Sequence, residues 1–189
     1  MLISNTITSH QNQENNMLSN RVQDALNEQI KMEGSSSNFY LSMAVWAEEN
    51  GYAGVSQFLY KHSDEERFHM LKLVKYINER DGKVIIPAFD QPKSSFESVK
   101  QLFEELYKHE VSVTQSIGEL VGICLEEKDF TTQNFLQWYV SEQLEEEALA
   151  KTVLDKIKLM ADDKSAWYHF DRDIAGLTAT SIADTGGAQ

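Results

Sequence analysis

Both prolines of this 189-residue chain, Pro87 and Pro92, lie in one short stretch near its middle. Proline removes a backbone donor and collides with the preceding helical turn, so it marks where long helices cannot run. On either side, from Met17 to Gly82 and from Ser95 to Ser165, no proline interrupts a helix. Glu, Leu, Lys, Gln and Ala abound there. The chain therefore reads as an all-α protein built from long helices.

Apolar periodicity divides it into four such helices. The first starts near Ser19, a suitable N-cap, with the stripe Val22, Leu26, Ile30, Glu33, Ser37, Tyr40 or Leu41, and Ala44. It stops at Asn50-Gly51. The second starts near Gly54, follows Val55, Leu59, His62, Glu66, His69, Leu73 and Ile77, and stops at Asp81-Gly82. The third, from about Ser95 to Glu127, carries Val99, Leu102, Leu106, Glu110, Val113, Ile117, Leu120 and Cys124. The fourth starts near Thr131 or Thr132 and carries Phe135, Tyr139, Gln143, Glu146, Ala150, Val153, Ile157 and Met160. A short fifth helix is expected from about Ala166 to Leu177.

The connections set the topology. Short turns join the first pair and the second pair, so each pair is antiparallel. The segment from Gly82 to Ser94 is longer, and its thirteen residues reach about 43 Å when extended. A helix of about 28 residues is about 42 Å long. The linker can thus cross the whole bundle and make helices two and three parallel. Two hairpins joined by a long crossover are the ferritin-like arrangement of a four-helix bundle. The expected organisation is an N-terminal extension over 1–16, disordered and rich in Asn, Gln, Ser and Thr, a bundle domain over 17–178, and a flexible tail over 179–189.

Polar residues interrupt the stripes in a repeated pattern. Glu33 and Glu66 are 33 residues apart, and so are Glu110 and Gln143. Glu66-x-x-His69 places a carboxylate and an imidazole on one helix face, and Gln143-x-x-Glu146 repeats the spacing. An unpaired charge on an apolar stripe is costly, so this constellation calls for metal. Carboxylates with one imidazole and no sulfur suit iron, manganese or zinc. Glu66, central between the hairpins, is the candidate to bridge two ions. Glu65, Glu142 and Glu145 lie on adjacent faces and read either as solvated surface or as an accessory metal site. Glu147 reads as surface. Tyr40, one heptad after Glu33, reads either as a core tyrosine or as a partner of a ligand carboxylate. Trp138 has a similar status, and His62 and His109 read as structural or surface histidines.

Composition excludes several classes. With 30 acidic and 17 basic residues the formal charge is −13, which repels nucleic acid and anionic membrane. No apolar run is long enough to span a bilayer. The N-terminal residues lack the basic start and apolar core of a secretory signal. Cys124 is the only cysteine, so no intrachain disulfide and no cysteine-based cluster can form. A cytoplasmic location is expected.

These residues resemble bacterial non-haem ferritins. Asn134-Phe-Leu-Gln-Trp-Tyr-Val-Ser-Glu-Gln-Leu-Glu-Glu-Glu147 looks like that family's fourth helix. Tyr107-Lys-His-Glu110, His62-Ser-Asp-Glu-Glu-Arg-Phe-His69 and Asn27-Glu-Gln-Ile-Lys-Met-Glu33 match the other three in order and spacing. The resemblance covers about Met17 to Leu177. It implies a homo-oligomeric shell of 24 subunits that oxidises ferrous iron at an intrasubunit di-iron centre. The implied oxidant is O2 or H2O2, and the ferric product is stored as mineral inside. One iron site then looks like Glu33, Glu66 and His69. The other looks like Glu66, Glu110 and Glu146, with Gln143 close by. Glu65, Glu142, Glu145 and the shared Glu146 match the family's third iron site, and Tyr40 its tyrosine beside the centre.

Two departures from the related bacterioferritins narrow the expectation. Arg67 stands where they carry a haem-ligating methionine, so no haem is expected. Gln143-x-x-Glu146 replaces their second Glu-x-x-His, which should loosen the second iron and favour its release to the cavity. A non-storage di-iron peroxidase or electron-transfer protein of the rubrerythrin type is the alternative, but its usual four-cysteine iron domain is missing. A small DNA-protecting cage would need ligands placed between subunits and a basic tail.

Overall fold

The computed structural model describes residues 17–161 and 163–177. The extension over 1–16 and the tail over 179–189 fall outside the described residues. Among the described residues five helices follow one another: α1 (Asn20–Glu49), α2 (Ala53–Glu79), α3 (Val99–Glu126), α4 (Phe130–Met160) and α5 (Lys164–Ile174). α1 packs along α2, α3 along α4, and α1 also touches α3, while α5 rests on α2.

The ends of the first three helices share one device. In each, two backbone N–H groups beyond the helix return to carbonyls of its last turn, the Schellman closure. Tyr52 N–H reaches Ala47 O at 2.9 Å and Gly51 N–H reaches Glu48 O at 3.1 Å. Gly82 and Asp81 do the same on Ile77 and Asn78, as do Asp129 and Lys128 on Cys124 and Leu125. The closure needs one left-handed residue. Gly51 supplies it at φ 82°, whereas Asp81 (52°) and Lys128 (57°) adopt it without glycine's freedom. Both hairpin turns are therefore only three residues long, 50–52 and 127–129.

The crossover follows α1 from one end to the other. Lys83 N–H donates to Gln23 Oε1 at 2.7 Å, and Ile85 N–H donates to Asn27 Oδ1 at 2.7 Å. Further on, Ser42 Oγ donates to Lys93 O at 2.8 Å, and Phe96 packs edge-on against Trp46. The linker thus returns to the end where α2 began, and α3 runs parallel to α2 as the sequence predicts. α3 begins later than the predicted Ser95. Ser98 is its N-cap, with Oγ accepting from Gln101 N–H at 3.1 Å, and Phe96 is buried just before it. Likewise Asp129 caps α4 and Asp163 caps α5, so both begin slightly before the predicted residues.

α2 has no side-chain cap from its own N-cap residue, Tyr52. Asp171 of α5 supplies one, its Oδ1 accepting from Gly54 N–H and Val55 N–H, each at 3.0 Å. A carboxylate at a helix N-terminus satisfies free donors and complements the helix dipole.

Apolar side chains form two clusters, one toward each end of the bundle. Tyr40, Met43, Leu59, Phe103, Leu106 and Val153 belong to one, and Leu26, Ile30, Leu73, Val113, Ile117 and Tyr139 to the other. Between them lie the buried polar residues.

Gly34 fixes where the crossover touches α1. A Cβ there would run into the Phe89 ring and come within 2.9 Å of Met70 Sδ. Gly118, in α3, has open space around it. Gly34→Ala should therefore destabilise the protein by about 1–3 kcal/mol. Gly118→Ala should stabilise it by up to about 1 kcal/mol through helix propensity. Urea unfolding of the two variants checks the contrast; equal effects would contradict this packing.

Candidate metal centre

Helical register delivers the site. Glu33 on α1, Glu66 and His69 on α2, Glu110 on α3, and Gln143 and Glu146 on α4 all interrupt inward stripes at mid-bundle. All six are buried, from 0% exposed for Glu110 to 6% for His69 and Glu146. The sequence-predicted set converges in one layer.

Two sets of three bring ligand atoms within 4.8 Å of one another: Glu33, Glu66 and His69, and His62, Glu65 and Glu146. In the first, His69 Nδ1 lies 3.6 Å from Glu66 Oε2 and 3.9 Å from Glu33 Oε2. Glu110 belongs to neither set, and both of its carboxylate oxygens accept hydrogen bonds. Tyr40 OH donates to Glu110 Oε1 at 2.6 Å, and Gln143 Nε2 donates to Oε2 at 2.7 Å. Tyr40 is thus a hydrogen-bond partner of a site carboxylate, one of its two expected readings. Glu66 Oε2 is buried and has no hydrogen-bond partner. A buried carboxylate oxygen left unpaired among other carboxylates is suited to a cation.

His62, expected as a structural or surface histidine, lies against two site carboxylates. It is buried, its Nδ1 lies 3.1 Å from Glu65 Oε2 and 3.6 Å from Glu146 Oε2, and its ring stacks on Tyr40. Its position on the α2 stripe, one turn before Glu66, was the available signal. His109 fits its structural reading, with Nε2 2.7 Å from Ser36 Oγ and its ring against Phe39. Trp138 stands edge-to-face on His69 at 5.2 Å, with Lys72 Nζ over its ring at 4.1 Å. Glu65 is exposed and Glu142 and Glu145 are half-buried, at the outer rim beside Glu146. Gln29, which the sequence reading did not single out, donates from Nε2 to Glu33 Oε1 at 2.8 Å.

Burial sets the electrostatics. It raises Glu33, Glu66 and Glu146 well above the usual carboxylate range, and neighbouring carboxylates push further: Glu66 on Glu33, and Glu110 on Glu66 and Glu146. Glu110 is raised by burial too, opposed by the hydrogen bonds from Tyr40 and Gln143. Burial, and then the His69 charge, lowers His62 to about 4.

A buried carboxylate–imidazole layer in a four-helix bundle with one long crossover defines the ferritin-like class. The Ferritin-like domain family matches residues 23–160. A probable bacterial non-heme ferritin-like protein of Haemophilus influenzae is 42% identical over 162 residues, which is 86% of this chain and 98% of the relative. A bacterial non-heme ferritin of Campylobacter jejuni is 45% identical over 85% of this chain and 96% of its own length. The open pore ferritin of the archaeon Archaeoglobus fulgidus superposes with a TM-score of 0.84 at 40% identity, covering 86% of this chain and 99% of that one. The chain belongs to the ferritin family, and its relatives are bacterial non-haem ferritins.

The shifts fix a pH response with two opposite arms. Carboxyls raised above their ordinary 4.5 keep protons in the folded protein that the unfolded chain releases, so metal-free stability falls as pH rises past that value. His62, lowered from 6.5 to about 4, acts the other way: its contribution is lost as pH falls through that window. A bound divalent ion displaces the carboxyl protons and removes the first arm. Above the window in which His62 acts, the melting temperature of metal-free protein should fall as pH rises. Zn(II) should restore it, with the larger gain at the higher pH. Thermal melts with and without Zn(II) check this; a gain independent of pH would contradict it.

Proposed function

We propose that this chain is the subunit of an iron-storage ferritin with ferroxidase activity. It oxidises Fe(II) to Fe(III) and keeps the ferric product as mineral inside a hollow homo-oligomeric shell. The observation that carries this reading is the buried layer of Glu33, Glu66, His69, Glu110, Gln143 and Glu146, with Glu66 Oε2 unpaired at its centre.

In this reading Glu33, Glu66 and His69 hold one iron, and Glu66, Glu110 and Glu146 hold the second, with Gln143 alongside. Two ferrous ions share Glu66 and deliver one electron each. With O2 and two protons they yield two ferric ions and H2O2. With H2O2 and two protons they yield two ferric ions and two waters. Tyr40 holds Glu110 in place from the side away from Gln143. The neutral Gln143 amide spends its donor on Glu110, so the second iron gains no anionic ligand from that position and is released more readily. Glu65, Glu142 and Glu145, with Glu146, form a third iron site at the rim. Arg67, exposed on α2, stands where bacterioferritins carry a haem-ligating methionine, so this reading includes no haem.

The unit spans residues 17–178 and assembles as a cage of 24 copies in the cytoplasm. The homology supports this reading: relatives of nearly the same length carry the ferritin name, and a ferritin superposes on the whole bundle.

Aerobic addition of Fe(II) should give amber ferric absorbance that co-elutes with a large assembly on gel filtration. Glu66→Ala should slow the oxidation at least about 100-fold, because it removes a ligand common to both irons. A small species that turns over iron and retains none would replace storage with the peroxidase or electron-transfer reading.

A further inference from the structure

Glu33 and Glu110 are held by side-chain donors, whereas Glu66 Oε2 is not. The donor on Glu33 is Gln29, one turn earlier on α1 and 1% exposed. An amide presents a donor at one end and an acceptor at the other, so something must choose which end faces Glu33. An ionised Glu33 carboxylate does so, because it only accepts and therefore takes Nε2. Ser116 on α3 holds the other end, donating from Oγ to Gln29 Oε1 at 2.6 Å. A flipped amide would place its oxygen against a carboxylate. Gln29 thereby occupies Oε1 of Glu33 and leaves Oε2 facing His69 Nδ1, 3.9 Å away.

We propose that Gln29, locked by Ser116, is a positioning residue that makes Glu33 a one-oxygen ligand aimed at the ion shared with Glu66 and His69. The inference rests on the metal-binding reading above. Ser116 and Gln29 join α3 to α1 across the bundle, so the alignment of Glu33 depends on the packing of two helices rather than on its own rotamer. Partners that orient a metal ligand typically govern affinity by about 10–100-fold.

Anaerobic Co(II) titration of the full chain tests this, with the visible d–d absorption reporting coordination geometry. Gln29→Leu keeps the volume and removes both hydrogen bonds; Co(II) affinity should fall about tenfold, at the lower end of that range, and the d–d band should change shape. Ser116→Ala keeps Gln29 but frees its amide, and should give a smaller loss of the same kind. If Gln29→Leu fails to fold, Ser116→Ala decides alone. An altered melting temperature with unchanged affinity and spectrum in the variants would overturn the proposal and leave a purely structural glutamine. Glu66→Ala separates the two levels. If wild-type and Glu66→Ala bind Co(II) alike, the metal-centre reading fails; if Glu66→Ala loses binding while the Gln29 and Ser116 variants keep it, only the positioning role fails.

Discussion

Four glutamates, one histidine and one glutamine share a buried layer midway between two apolar clusters. Two like unit charges 4 Å apart repel by about 4 kcal/mol at an effective dielectric of 20. The metal-free layer answers by keeping protons on carboxyls that would ionise in water. Such an arrangement costs stability and is sustained by the apolar packing on both sides. A cation changes its sign, turning mutual repulsion into shared attraction. The hydrogen bonds divide the labour: Gln29 fixes Glu33, Tyr40 and Gln143 fix Glu110, and Glu66 keeps an oxygen free between them.

The rest of the fold serves to bring that layer into register. Each helix contributes one or two of its members, so a shift of one residue in any helix would turn a ligand out of the core. The three Schellman closures and the crossover hold the helices lengthwise. The crossover is pinned to α1 by Gln23, Asn27 and Ser42, and Phe89 seats over Gly34. α5 closes the start of α2, the helix that carries both Glu66 and His69, by capping it with Asp171.

Much of this was legible because it is periodic. The four stripes, the crossover and the six layer residues follow from 3.6-residue spacing and from the repeated separation between Glu33 and Glu66 and between Glu110 and Gln143. What was not legible depends on tertiary partners. Asp171 caps a helix more than a hundred positions away, which no local signal announces. The third helix was expected from about Ser95, whereas Ser98 caps it, with Phe96 buried between the two. His62 shares its stripe with Glu66, yet only the fold shows it facing Glu65 and Glu146. Gln29 is an ordinary helix residue until the fold places its amide between Glu33 and Ser116.

The central claim is that Glu66 is shared by two metal ions inside one subunit. Anomalous diffraction from crystals soaked anaerobically in Fe(II) tests it directly. The account predicts two iron peaks flanking the Glu66 carboxylate, one also bonded to Glu33 and His69, the other to Glu110 and Glu146. Iron confined to the rim at Glu65, Glu142 and Glu145, with none bonded to Glu66, would contradict it.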